Sequence, residues 1–151
     1  FEEIIRDAVA PVIARFEDVA MLPDLSLGQA LDGMFATFAT QVLGTDRKLV
    51  LRLIIAEGPR FPRIAQFYHR EVVSRGLAIL RRVAKRAHAR GELRDDTLVR
   101  FPQLILAGPL LALLWDGLFS AIEPLDAHDF LSAHRTVLTG LPASCRSPTS
   151  P

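Results

Sequence analysis

Cysteine is almost missing from this chain. The one cysteine, Cys145, lies in a polar stretch near the end. That excludes an intrachain disulfide framework and any CxxC metal site, and it makes a reducing cytoplasm the expected setting. The signatures of catalysis are also lacking: the sequence holds no GxSxG, no GxGxxG, no P-loop and no HExxH. Its four histidines are His69, His88, His128 and His134. His128 and Asp129 are adjacent and point to different sides of a helix, and His134 falls on another face again, so no metal spacing results. Neither an enzyme nor a cofactor is expected. Net charge is nearly absent, at +1. No strong field therefore recruits nucleic acid or an anionic membrane. A signal peptide is lacking too, because Phe1-Glu2-Glu3 is acidic. The first residue is not Met, and the expectation is a fragment of a longer product.

Apolar residues are plentiful instead. Half of the 151 residues are hydrophobic, and the mean hydropathy is +0.25. That surplus points to a subunit interface or a ligand cavity. From Phe101 to Trp115 fifteen residues carry no charge. A helix of that length spans ~22 Å, short of the ~30 Å hydrocarbon layer. Arg100 and Asp116 bracket the run, and Pro102 and Pro109 interrupt it. It reads as a buried helix, and no membrane partner is expected.

Helical periodicity runs throughout, with no strand-period segment and no repeat. Phe1–Leu22 repeats apolar residues every 3.6 positions, with Pro11 expected to kink or split the helix. Ser26 caps a second helix whose stripe is Leu27, Leu31, Met34, Phe35, Phe38 and Val42, ended by Gly44. Thr45 or Asp46 starts the third, Arg47–Glu57. It is apolar on nearly every side except for Arg52, and is expected to be central. Gly58-Pro59 stops it. Pro62 opens a fourth helix running to about Arg90, with Gly91 at its C′ position. Its outer face carries Arg70, Arg75, Arg81, Arg82, Lys85 and Arg86, which read as solvated. Asp96 caps the fifth helix, Thr97–Ile122, expected to bend near Pro109. The sixth covers Asp126–Thr139 and ends at Gly140. The fold class is therefore all-α, a six-helix domain over residues 1–141, with 142–151 a Ser- and Pro-rich disordered tail.

Two groups of residues are candidates for function. Phe35, Phe38, Phe61, Phe67 and Tyr68, with Met34, line either a core or a pocket, and Leu110 on the fifth helix joins them. Arg52 sits in apolar surroundings, where a charge must be paired or reach solvent. It either pairs with Glu57 or another helix's acid, or faces a cavity and meets a polar effector. In the second group, Gly108 and Ala112 are small and four apart, beside Leu111, Trp115 and Phe119. With Phe130, His134 and Val137 on the sixth helix, they either pack within the chain or form an isologous interface with a second copy.

Three segments carry a family resemblance. FEEIIRDAV at the start, RLIIAEGPRFPRIAQFYHREV at Arg52–Val72, and ARGELR followed by LILAGPLLALLWDGLF occur in that order. Together they resemble the C-terminal regulatory domain of TetR-family (tetracycline-repressor-like) transcription regulators, in particular the AefR-like branch. The resemblance implies an effector-binding and dimerising domain in which the last two helices form a dimeric four-helix bundle. The implied partners are a second copy of the chain, an unidentified small-molecule effector, and operator DNA only through an N-terminal helix-turn-helix headpiece that is not in this sequence. A helical dimerisation module without an effector is the alternative.

Overall fold

The computed structural model describes residues 1–140; the expected tail at 142–151 and Cys145 lie outside them. Among the described residues every regular element is helical. Helix α1 spans Glu2–Met21, with Glu2 and Glu3 in its first turn, where acids complement the helix dipole. It buries Ile5, Val9, Val12, Ile13 and Ala20 along one stripe. Pro11 does not split it. The proline sits on the exposed side of α1, where the carbonyl it deprives of a donor is open to water.

Helix α2 spans Leu27–Phe38 and begins with a capping box. Ser26 Oγ accepts from Gln29 N at 3.2 Å, and Gln29 Oε1 accepts from Ser26 N at 3.0 Å. The helix runs on through a π-helical turn, Ala39–Leu43. Helix α3, Arg47–Glu57, departs from expectation. Its one buried residue is Ile54, while Leu49 is 54 % and Leu53 46 % exposed. An apolar circumference shows what a helix could bury. It does not supply neighbours on every side, and α3 meets its neighbours α1, α4 and α7 without being enclosed by them.

The expected fourth helix is three consecutive segments: α4 Pro62–Tyr68, a π-helical turn His69–Val73, and α5 Ser74–Ala89. Gly91 ends it with φ +78°. Gly91 N donates to the His88 carbonyl and Glu92 N to the Ala87 carbonyl, both at 3.0 Å, the paired bonds of a Schellman stop. The expected fifth helix is broken. Asp96 stands at the N-cap of a short α6, Thr97–Arg100, without a side-chain capping bond, and the Oδ1 of Asp95 before it accepts from Thr97 N at 2.9 Å. Phe101 is then forced out of helical conformation, φ −126° and ψ 67°, because Pro102 follows it. Helix α7, Gln103–Phe119, keeps Pro109 inside and stops before Ile122. Helix α8, Ala127–Thr139, is capped by Asp126 and ends at Gly140.

Helix α1 packs against α2 and α5, α2 and α7 both pack on α8, and α3 leans on α7. Ile5, Leu31, Met34, Leu80, Ile105 and Leu131 are almost wholly buried, each contributing about 1.5–3 kcal/mol. Part of the basic stripe is structural and not simply solvated. Arg81 donates to the Val99 carbonyl at 3.2 Å, and Arg86 Nη1 to the Ala20 carbonyl at 2.9 Å. Arg90 holds the Pro23 and Leu25 carbonyls, and Glu92 Oε1 accepts from Leu27 N at 2.9 Å. The end of α5 thereby anchors the α1–α2 connection. Among the described residues no helix is long and apolar enough to cross a membrane.

Candidate functional site

A cavity of about 370 Å³ opens at the centre of these helices. Helix α1 contributes Val9, Val12, Ile13 and Phe16 to its wall, and α2 contributes Met34, Phe35 and Phe38. Leu51 and Ile55 come from α3, Tyr68 from α4, and Gly76 and Leu80 from α5. Helix α7 closes it with Ile105, Leu106, Pro109, Leu110 and Leu113. Two features leave the space open. Gly76 has no side chain where its neighbours on the buried face of α5 carry large ones. Both π-helical turns border the cavity, bringing Val42 from one and Val72 and Val73 from the other into the wall. Such turns re-aim side chains and recur at functional sites.

The wall is apolar except at one point. Among the described residues, Tyr68 is the one in the wall with a polar side chain. Burial pushes the Tyr68 hydroxyl up to about 12, so it stays neutral near neutral pH. The way in is marked by Ile55 and Leu110, which line the cavity and yet are 41 % and 47 % exposed.

Three of the pocket candidates lie elsewhere, Phe61 among them at 49 % exposure. Arg52 does not line the cavity. It is bound to Asp116 of α7, and its Nε and Nη2 both donate to the Leu113 carbonyl at 3.3 Å. Lys48 joins the same carboxylate at 3.3 Å. Gly117 makes the contact possible, since a Cβ there would lie 2.7 Å from Arg52 Nε. Partial burial alone would raise the Asp116 carboxyl. The hydrogen bonds and charges of Arg52 and Lys48 prevail and hold it below the usual carboxylate range. Glu57, the nearer acid in sequence, pairs with Arg60 at 3.7 Å instead. Phe67 is buried outside the cavity wall, with Arg6 Cζ 5.4 Å and Arg70 Cζ 5.6 Å from its ring centroid.

The sequence matches a family model described as "Tetracyclin repressor-like, C-terminal domain" over residues 23–142. The chain belongs to this family. The description names the family and no branch within it. No curated protein and no solved structure matches the chain.

The tetracyclin repressor-like domain carries a second candidate surface on α7 and α8. Gly108 and Ala112 are buried within the chain and so do not present an outer face. Gly108 makes room for the His134 ring: a Cβ would stand 2.6 Å from its Cγ. His134 also lies 5.7 Å from the Phe35 ring, and Phe130 packs against the core. Trp115 is half-buried, edge-on to Phe119 at 5.0 Å, and its Nε1 donates to the Glu123 carbonyl at 2.7 Å. Leu111, Phe119 and Val137 are exposed. They share that exposure with Leu104, Leu118 and Ile122. Leu104, Leu111, Trp115 and Leu118 follow one another on α7 at spacings of seven, four and three, the seam spacing of packed helices. That spacing was present in the sequence, although only the structure separates the outward leucines from the inward glycine and alanine.

Proposed function

We propose that this chain is the effector-binding and dimerisation domain of a one-component tetracyclin repressor-like transcription regulator, acting as a repressor. The observation that carries the reading is the apolar cavity inside a chain whose greater part matches this regulatory domain. A molecule in the cavity touches α1 through Val9, Val12, Ile13 and Phe16, and α7 through Pro109 and Leu113. Helix α1 is then the element that transmits occupancy toward a DNA-binding headpiece joined ahead of it. Two packings of α1 against α2 and α5, biased by the ligand, would couple effector to operator. The exposed seam Leu104, Leu111 and Leu118 on α7, with Ile122 just beyond its end and Val137 on α8, takes a second copy of the chain.

The test is operator binding by the gene product that contains this chain, with and without a molecule shown to occupy the cavity. A bound molecule should weaken operator affinity by at least roughly fivefold, the lower end of typical coupling. Unchanged affinity for every molecule that binds would sink the reading.

A further inference from the structure

We infer that the cavity takes an uncharged, largely hydrocarbon molecule of about fifteen non-hydrogen atoms that carries one hydrogen-bonding group for Tyr68. The inference rests on the effector-binding reading above and narrows it to a chemical class.

Size comes first. An apolar cavity of about 150 Å³ accommodates benzene. The space here is about 370 Å³, which scales to about fifteen non-hydrogen atoms. Charge is decided by the wall. Among the described residues, none lining the cavity carries an ionisable side chain other than the tyrosine. An ion inside would lose its hydration without gaining a partner. Arg52, the cation that could have met an anion, is committed to Asp116 and the Leu113 carbonyl. The backbone offers little more. Pro109 has no N–H to give, and the Ile105 carbonyl that it leaves without a helical donor has His134 Nε2 at 3.3 Å. The Tyr68 hydroxyl makes no hydrogen bond with the described residues, and it is the group available to a guest. A hydroxyl both donates and accepts, so a ketone, ester, ether or alcohol suits it.

The assignment is tested on the 151-residue chain by isothermal titration near neutral pH with three probes. These are 4-acetylbiphenyl, biphenyl-4-carboxylate of the same size, and biphenyl. The ketone should bind at least roughly tenfold more tightly than the carboxylate, because only the ion pays unpaired desolvation. Tyr68→Phe should weaken the ketone by roughly three- to tenfold and leave biphenyl within about twofold, the loss of one hydrogen bond. Gly76→Leu should abolish binding of both, with the circular dichroism spectrum confirming the fold. Gly76→Ala, a smaller change, should weaken both in the same direction. Carboxylate binding equal to or tighter than the ketone would overturn the class while leaving an effector site in place. Failure of all three probes to bind would overturn it as well. Ketone binding in the cavity without any change in operator affinity of the gene product would support the class and count against the regulatory reading.

Discussion

His134 Nε2 lies 3.3 Å from the carbonyl oxygen of Ile105, the acceptor that Pro109 leaves without its helical donor. The same nitrogen is 3.1 Å from the Leu104 carbonyl. The Gly108 N–H also faces this nitrogen, at 3.3 Å. In the tautomer with Nε2 protonated the ring donates to the carbonyls and α8 repairs the backbone of α7 at the proline; in the other tautomer it accepts from Gly108. Gly108 leaves the space for the ring. One contact thus ties the proline, the glycine and the histidine together and fixes the α7 wall of the cavity.

His134→Ala should therefore destabilise the fold by about 1–3 kcal/mol, the cost of a buried carbonyl left unpaired. Gly108→Ala should cost a similar amount, about 1–3 kcal/mol, by overpacking against the ring. Urea denaturation of the double variant checks the linkage. Its loss should be smaller than the sum of the singles, because removing the ring makes room for the methyl group. Strict additivity would show that the two residues do not share one contact.

Asp116 gives a pH dependence with a definite sign. Its carboxyl is held below the ordinary value by Arg52 and Lys48 against the opposing effect of burial. The pair therefore contributes stability above the unfolded value of about 3.9, and loses it as pH falls through the lower folded value. The Asp116 side chain is 40 % exposed, which limits the contribution to about 1 kcal/mol. Asp116→Asn should melt below the native chain near neutral pH, with the gap closing below about pH 4. A gap that stays constant across that range would show that the carboxylate charge is not what binds α3 to α7.

Gly76→Ala should stabilise the chain by about 0.5–1 kcal/mol through helix propensity alone. The nearest atom that a Cβ at Gly76 meets is Ile13 Cδ1 at 3.8 Å, an ordinary contact. Thermal melting reads the outcome. A lower melting temperature would mean that the cavity is not open at this point.

Leu118→Glu should leave helicity unchanged and abolish self-association, since Leu118 is 67 % exposed within the chain. Leu31→Ala, at a residue with no exposure, should instead cost about 2–5 kcal/mol of stability. Sedimentation at micromolar concentration separates them: a dimer for the native chain and a monomer for Leu118→Glu. Equal mass for both would remove the α7 seam from any interface.

The sequence by itself determined the helices and most of their ends. Ser26 with Gln29, Pro62, Gly91 and Asp126 act within a few residues of themselves, so their effect is written locally. The apolar stripe of α2 likewise told which face Met34, Phe35 and Phe38 share. Tertiary structure decided what those faces meet. Arg52 finds Asp116, far away along the chain, and not the nearby Glu57, because α7 passes α3 at Gly117. Phe67 turns to Arg6 and Arg70, while its neighbour Tyr68 turns to the cavity. An apolar α3 lies at the edge, because hydrophobicity states a tendency to be covered and not the presence of a cover. The cavity itself belongs to no residue. It is the volume that six helices leave unfilled beside Gly76 and two π-helical turns, and such a volume depends on distances between elements that no local pattern encodes.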